Sequence, residues 1–175
     1  MRRLWSSPNS RFCGHLYLLC ADAHEGETEL YARRRVMNIL IIESRYFPAV
    51  TDALLDGATL ALEKGGALFE RFSVPGVLEL PPAIALAARS GRPFEGYVAL
   101  GCVLGMSATA DMLYRESARG LMMLGTEGLS IGNGVLMAAD EDAAMALAMD
   151  QDVGGDAARA ALSLIVLRQR LGILS

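Results

Sequence analysis

The sequence predicts an α/β protein, a three-layer αβα sandwich whose middle layer is a four-stranded parallel sheet. Three observations support this fold class. Short apolar runs alternate with stretches of helical periodicity, which is the pattern of parallel strands joined by crossover helices. At 175 residues and 53% hydrophobic content, the chain is long enough to bury the core of one such domain. Glycine or proline stands at most of the predicted boundaries.

The first strand and helix are predicted from an apolar run followed by a capped periodic stretch. Residues 36–42 are almost wholly apolar, as expected for a parallel strand covered on both faces. After a turn at 44–48, Thr51 and Asp52 are expected to cap a helix that ends at 65–66, a Gly-Gly pair. The inward face of this helix is expected to carry Leu54, Leu55, Ala58 and Leu62.

The next two strands enclose a proline-started helix. Residues 68–74 place phenylalanines among charged neighbours, which predicts a strand nearer the edge of the sheet. Pro81 suits the first turn of a helix that ends at Gly91. Residues 97–104 predict a buried strand, and the small residues that follow it open another helix. The inward face of that helix is expected to carry Ala110, Leu113, Tyr114, Ala118, Leu121 and Met122.

The turn after the third strand is a candidate ligand site, because backbone N–H groups at a helix start face whatever lies above the strand. A plain strand-to-helix connection is the alternative. Residues 129–137 predict the fourth strand, and Asp140 is expected to cap a short helix. The last helix is expected to begin at 154–156, with cations in its final turn. Its inward face is expected to carry Ala157, Ala160, Ala161 and Leu164.

Charge is distributed unevenly along the chain. The net charge is −4, residues 1–36 contain six arginines and four acids, and the remainder carries ten basic and sixteen acidic residues. A domain with that excess of acids is not expected to bind nucleic acid. Residues 1–35 lack clean periodicity and are expected to be a poorly structured N-terminal extension, with 36–175 forming the folded domain. A basic arm that binds a partner is the alternative for 1–35.

Cysteine usage and hydropathy bear on the compartment. Cys13, Cys20 and Cys102 have neither disulfide-framework nor metal-ligand spacing, which fits a reducing compartment. No apolar run reaches the roughly 18 residues of a membrane helix. The segment that most resembles a secretory signal peptide is 1–21, and Gly14 and His15 interrupt its apolar part. We therefore expect a cytoplasmic protein without a metal site or membrane association.

Five motifs occur in order from about residue 38 to the C-terminus. They lie at 44–58, 74–81, 99–104, 131–136 and 154–162. For example, Val-Pro-Gly-Val-Leu-Glu-Leu-Pro at 74–81 resembles the Val-Pro-Gly-Ala-Phe-Glu-Leu-Pro of the lumazine synthase family. One such motif is weak, whereas five in order are specific. The resemblance implies a flavodoxin-like fold of the lumazine synthase type and a homo-oligomer, either a pentamer or a larger shell, with active sites at subunit interfaces.

The resemblance also implies a reaction. The family condenses 5-amino-6-(D-ribitylamino)uracil with 3,4-dihydroxy-2-butanone 4-phosphate, releases water and phosphate, and needs no cofactor. Imine formation, phosphate elimination and ring closure require a platform for the flat pyrimidine, an anion site and a proton shuttle. By motif position, Tyr46 would stack on the pyrimidine, and Asn133 would come from a neighbouring subunit. Backbone groups expected to read the ring edge and ribityl chain belong to Val77, Leu78, Glu79, Cys102, Val103 and Leu104. The alternative for Tyr46 is a strand-end aromatic that closes the core.

The chain departs from the family where phosphate and protons are handled. The family reads Arg-Gly-Glu-Thr-x-His after its third strand, and this chain reads Gly-Met-Ser-Ala-Thr-Ala at 105–110, one residue short. With the gap at the arginine, Gly105, Met106 and Ser107 take the phosphate-binding positions, and Thr109 takes the catalytic position of the histidine. Without the gap, an alanine takes the histidine position. The family's other basic positions correspond to Leu147 and Val153.

Three functions remain open from the sequence. The first is a lumazine synthase whose activity is weakened and whose proton transfers run through water, assisted by Ser107 and Thr109. The second is a non-catalytic relative that binds a pyrimidine or flavin-like ligand in the retained pocket. The third is a structural subunit of a shell, for which an apolar, Met-rich surface would suit packing.

Overall fold

A computed structural model describes residues 36–173 of the chain. The four strands are β1 (Asn38–Ser44), β2 (Leu68–Val74), β3 (Gly96–Leu104) and β4 (Ile131–Ala138). The five α-helices are α1 (Pro48–Lys64), α2 (Leu80–Arg89), α3 (Ala108–Thr126), α4 (Glu141–Met149) and α5 (Val153–Arg170). A 3-10 turn, Val77–Glu79, precedes α2. The prediction for residues 1–35 lies outside the described residues.

All four strands are parallel, in the spatial order β2-β1-β3-β4, so the predicted sheet is confirmed and β2 lies at an edge as expected. Ser44 pairs with Val74, and Leu104 pairs with Ala138. The carboxyl ends of the strands therefore meet at one rim of the sheet. In open α/β sheets, this rim is where ligands bind.

Helices cover both faces of the sheet, which confirms the three-layer sandwich. One core cluster joins the sheet to α1, α4 and α5, and the other joins it to α2 and α3. α5 approaches α1 so closely that a side chain at Gly154 would collide with the carbonyl oxygen of Leu54. Only glycine permits that contact, which explains the glycine pair at the start of α5.

Two of the predicted helix starts are corrected by the structure. α1 begins at Pro48 and has no side-chain cap, so Thr51 and Asp52 are not its caps. Proline at the start needs no N–H partner, because it has no N–H to satisfy. α5 begins one residue earlier than expected, and Asp152 caps it by accepting a hydrogen bond from Gly155 N (3.2 Å). The cap of α4 by Asp140 is confirmed, with Ala143 N donating to its carboxylate (2.9 Å).

Three residues expected to face inward are exposed: Met122, Ala160 and Leu164. Ala158 and Ile165 supply buried positions of α5 instead. Helical periodicity counts apolar residues, and it cannot separate a buried stripe from an apolar surface beside it. Met122 and Leu164 line a groove of about 410 Å³ between the end of α3, the start of β4 and the end of α5. Among the described residues, the helices are too short or too polar to cross a membrane.

Candidate functional site

A cavity of about 460 Å³ lies at the carboxyl-end rim of the sheet, above the ends of β1 and β3. The turn after β1, the 3-10 turn before α2, the end of β3 and the first turns of α3 surround it. Its lining residues are Ser44, Tyr46, Phe47, Gly76, Val77, Leu78, Glu79, Cys102, Val103, Leu104, Ser107, Thr109, Ala110 and Leu113. A volume of this size suits a small organic ligand.

An aromatic pair forms one wall of the cavity. The rings of Tyr46 and Phe47 meet edge to face, with centroids 4.9 Å apart and planes at 67°. Tyr46 is 71% exposed, so its ring does not close the core and is accessible to a flat ligand. The backbone beneath it is fixed, because Arg45 N donates to Val74 O (3.1 Å) and Thr51 Oγ1 donates to Ser44 O (2.7 Å). A fixed turn with an exposed ring is a suitable stacking platform.

A buried carboxylate anchors the same turn from below. Glu43 is 2% exposed and accepts hydrogen bonds from Arg71 Nη2 (3.1 Å) and Ser73 Oγ (2.9 Å). Arg45 Nη1 contacts both Glu43 (3.5 Å) and Asp52 (2.8 Å). The hydrogen bond that Arg45 donates to Asp52 is the main reason that the pKa of Arg45 is raised. This guanidinium is therefore committed to two carboxylates, and Arg45 does not line the cavity.

The 3-10 turn Val77–Glu79 forms the opposite wall. Ser117 of α3 is fully buried and donates to Val77 O (3.0 Å), which ties the turn to the helix behind it. The Glu79 carboxylate folds back over the turn, so that a Cβ on Gly76 would lie 2.7 Å from Oε2. Sequence reasoning missed Ser117, because one serine in an amphipathic helix carries no signal of a long-range partner.

The end of β3 presents backbone rather than reactive side chains. Cys102 packs in the core cluster below α1, and burial raises the pKa of its thiol to about 12. The negative charge of Glu141 adds to that rise. The thiol is protonated at neutral pH and is not a nucleophile there. Val103 packs in the core cluster on the other face of the sheet. Ser44 is also buried, and its hydroxyl has no hydrogen-bond partner within residues 36–173.

The loop 105–107 forms a turn and supplies the cap of α3. Gly105 has φ +101°, which favours glycine, and its N–H donates to Ala138 O (2.9 Å). Ser107 caps α3 by accepting a hydrogen bond from Ala110 N (3.1 Å). Met106 is 76% exposed and does not line the cavity. Thr109 lies exposed on the first turn of α3 and does line it.

The charged side chain in the cavity lining is a carboxylate. Among the cavity's lining residues there is no lysine, arginine or histidine, and Glu79 is the carboxylate. Leu147 and Val153 are partly buried against the core. The two histidines of the chain lie at 15 and 24, outside the described residues. No cluster of metal-ligating side chains is present between residues 36 and 173.

Most of the sequence-predicted site residues lie together in this cavity. Tyr46, the turn 77–79, the strand end 102–104, Ser107 and Thr109 line it, whereas Gly105 and Met106 do not. Asn133 lines the separate groove beside α3 and α5, where its Oδ1 accepts from Val135 N (3.0 Å). Phe47 was not predicted as a site residue, and Ala110 and Leu113 were predicted as core positions, although all three line the cavity.

A parallel α/β sandwich with a small-molecule cavity at the carboxyl ends of its strands defines the class, a ligand-binding protein or enzyme of the open-sheet type. Residues 36–169 match the family model for 6,7-dimethyl-8-ribityllumazine synthase. The chain belongs to the lumazine synthase family.

Individual relatives support the family. Over 139 residues the chain is 47% identical to the 6,7-dimethyl-8-ribityllumazine synthase of Sphingopyxis alaskensis, which covers 78% of this chain and 98% of the relative. It is 44% identical over 149 residues to 6,7-dimethyl-8-ribityllumazine synthase 1 of Rhizobium meliloti, covering 81% and 97% of the two chains. The corresponding enzyme of Agrobacterium fabrum is 44% identical over 143 residues, with 77% and 97% covered.

Proposed function

We propose that this protein is a lumazine synthase of riboflavin biosynthesis with weakened activity. In this proposal it condenses 5-amino-6-(D-ribitylamino)uracil with 3,4-dihydroxy-2-butanone 4-phosphate to give 6,7-dimethyl-8-ribityllumazine. One observation carries the proposal. The cavity unites an exposed aromatic ring, the turn 77–79 and the end of β3, which are the three elements that the family resemblance assigns to the pyrimidine.

The pyrimidine is held by stacking and by backbone hydrogen bonds. Its ring lies on Tyr46, and the backbone at 77–79 and 102–104 contacts its polar edge and ribityl chain. Stacking of a heterocyclic base on an aromatic side chain contributes about 1–3 kcal/mol. Ser117 fixes the turn 77–79 before the ligand arrives, so little conformational entropy is lost on binding.

The weakened activity follows from what the cavity lacks. Loss of a positioned general acid or base typically costs about 10²–10⁴-fold in rate. Proximity of the two substrates still accelerates imine formation, because the amine and the carbonyl are held together. Water carries the protons in this proposal, with the hydroxyls of Ser107 and Thr109 at the cavity wall assisting.

A second candidate function is binding of a pyrimidine or flavin-like ligand without turnover. It is favoured by the absence of lysine, arginine and histidine among the described lining residues. Both candidates predict binding of the pyrimidine, and they differ in whether product forms.

We also propose a homo-oligomer, a pentamer or a larger shell, in the cytoplasm. Exposed apolar side chains along α3 and α5 support an assembly, because they would be covered by a second copy. Asn133 lines the groove beside α3 and α5 and not the cavity of its own chain, which supports a role in the cavity of a neighbour. Sedimentation of the purified protein measures the assembly, and a monomer at micromolar concentration would contradict it.

The experiment for the proposed function measures binding and turnover separately. Purified full-length protein is titrated with 5-amino-6-(D-ribitylamino)uracil by calorimetry. It is then mixed with this pyrimidine and the four-carbon phosphate ester, and lumazine absorbance is followed against a protein-free reaction. Saturable binding with turnover above the protein-free rate supports the synthase, and binding without turnover supports the second candidate. Absence of binding contradicts both and leaves a structural subunit.

A further inference from the structure

We propose that Phe47 is a positioning residue for the pyrimidine, because its ring holds the exposed ring of Tyr46 in place for a flat ligand. The inference rests on the proposed function, since it assumes that the pyrimidine stacks on Tyr46. Both residues line the cavity. Their rings meet edge to face, with centroids 4.9 Å apart.

The exposure of Tyr46 gives its ring little support from the core. The residue is 71% exposed, and within residues 36–173 its aromatic partner is Phe47. An exposed side chain without a packing partner moves between rotamers on the picosecond to nanosecond timescale. A ligand that stacks on a mobile ring has to immobilise it, which costs affinity. A fixed partner ring therefore lowers the entropic cost of stacking.

The backbone of Phe47 is fixed at the start of α1. Pro48 follows it and disfavours helical backbone at Phe47, which has φ −119° and ψ 85°. The carbonyl oxygen of Phe47 accepts hydrogen bonds from Thr51 N (3.0 Å) and Thr51 Oγ1 (3.0 Å). Thr51 is fully buried, and its hydroxyl proton is shared with Ser44 O (2.7 Å). Thr51 therefore holds both ends of the turn that carries Tyr46.

The side chain of Phe47 is held by the interior. It is half-buried and packs against the core cluster that joins the sheet to α1, α4 and α5. On the other side of Tyr46, the Arg45 guanidinium donates to Asp52 of α1 at 2.8 Å. Both chain neighbours of Tyr46 are therefore attached to α1. The ring of Tyr46 contacts a side chain that the core already immobilises.

The geometry of the aromatic pair leaves room for a ligand. The two ring planes meet at 67°. In an edge-to-face pair one ring contributes its edge and the other contributes one face, so at least one face of the Tyr46 ring stays free. A flat heterocycle in the cavity can stack on that face. The free energy of such a pair corresponds to an effect of about 2- to 10-fold on ligand affinity.

The test is a double-mutant cycle on the full-length protein. Calorimetry measures the dissociation constant of 5-amino-6-(D-ribitylamino)uracil for the wild type, Phe47→Leu, Tyr46→Ala and the double variant. We expect Phe47→Leu to raise this constant about 2- to 10-fold when Tyr46 is present. In the Tyr46→Ala background the same change is expected to alter it by less than about 1.5-fold, because a residue that acts through the Tyr46 ring is coupled to it.

Two further variants control for packing. Phe47→Tyr keeps a ring in the pair and is expected to bind the pyrimidine within about 2-fold of the wild type. Phe69→Leu makes the matching change at a half-buried phenylalanine that packs against the same core cluster and does not line the cavity. It is expected to leave the dissociation constant unchanged. Urea unfolding of Phe47→Leu and Phe69→Leu separates a loss of stability from a loss of affinity.

The outcomes separate this inference from the proposed function. If Phe47→Leu binds the pyrimidine as well as the wild type does, the inference is overturned and the pyrimidine site stands. An equal loss of affinity in both backgrounds overturns it too, because Phe47 then acts by direct contact or by general packing. An equal loss for Phe69→Leu assigns the effect to the core and has the same consequence. If the wild type does not bind the pyrimidine, the proposed function fails and the inference fails with it. A loss that requires the Tyr46 ring and is absent from Phe47→Tyr and Phe69→Leu supports the inference.

Discussion

The two halves of the cavity differ in how they are built. The half formed by the turns 44–47 and 76–79 is anchored by long-range polar contacts, from Glu43 to Arg71 and from Ser117 to Val77. The half at the start of α3, which Leu104, Ser107 and Thr109 line, is held by local or strand-end hydrogen bonds at Gly105 and at the Ser107 cap. The first half is therefore a rigid platform, whereas the second is a strand-to-helix turn without charged side chains.

The loop after β3 keeps its turn and the start of α3 without any charged side chain. Gly105 and Ser107 preserve the turn and the helix start, and neither requires a cation. The ring platform depends on buried polar partners, so it has no comparable freedom to change. Substrate preference is therefore expected to change on the loop side, while pyrimidine recognition stays.

The largest expected effect is on the platform itself. Tyr46→Ala removes the stacking ring and is expected to raise the dissociation constant for the pyrimidine about 10-fold or more. Stability should change little, because the ring is exposed. Calorimetric titration measures the affinity, and Tyr46→Phe is the matched control that keeps the ring. Equal affinity of Tyr46→Ala and the wild type would show that the ring lies elsewhere.

The next effect concerns the anchor of the opposite wall. Ser117→Ala removes a buried hydrogen bond and is expected to lower the free energy of unfolding by about 1–3 kcal/mol. Ser44→Ala is the control, because its buried hydroxyl has no partner among the described residues and should cost less than about 1 kcal/mol. Urea unfolding of both variants measures this. Equal losses would mean that the bond to Val77 O contributes nothing.

A third prediction tests the burial of the Cys102 thiol by the pH dependence of the free energy of unfolding. The pKa of Cys102 rises from an ordinary value of 9.0 to about 12 in the folded state. Between these values the unfolded chain loses the thiol proton first, so the free energy of unfolding falls as pH rises, by up to about 1.4 kcal/mol per pH unit. Denaturant titrations at several pH values measure the slope. Cys102→Ala should flatten it, and an unchanged slope would contradict the burial.

The smallest effect is expected where the sequence departs most from the family. Thr109→His restores an imidazole to the loop side without restoring a cation for phosphate. Its kcat/KM with the phosphate ester is expected to rise by less than about 10-fold, well below the 10²–10⁴-fold that a general acid or base typically supplies. Steady-state kinetics measure this change. A rise in kcat/KM of about 10²-fold or more would mean that the site already binds phosphate well, and it would contradict the proposal that this half lacks a phosphate anchor.

Much of the fold could be predicted because it depends on local patterns. The four strands and the edge position of β2 followed from apolar runs and their charged interruptions. The cap of α1 was mispredicted because the Thr51 hydroxyl donates to the backbone carbonyls of Ser44 and Phe47, which precede it. A threonine near the start of a helix has the same sequence pattern whether it caps the helix or makes this contact. The exposure of Met122 and Leu164 was missed because periodicity does not record what covers a helix face.

The candidate site was predictable where motifs fix the backbone and unpredictable where distant residues meet. Tyr46 and the turn 77–79 stood in recognisable motifs and line the cavity. The anchoring roles of Glu43 and Ser117 depend on pairings with residues 28 and 40 positions away, which no local pattern reveals. The loss of charge at 105–110 was readable directly, because it is a matter of residue type.

The most direct test of the difference between the two halves is competition by phosphate. The affinity for 5-amino-6-(D-ribitylamino)uracil is measured by calorimetry with and without inorganic phosphate at constant ionic strength, together with a titration by phosphate alone. We predict saturable pyrimidine binding, no saturable phosphate binding and no effect of phosphate on pyrimidine affinity. Saturable phosphate binding at millimolar concentration, or absence of pyrimidine binding, would contradict it.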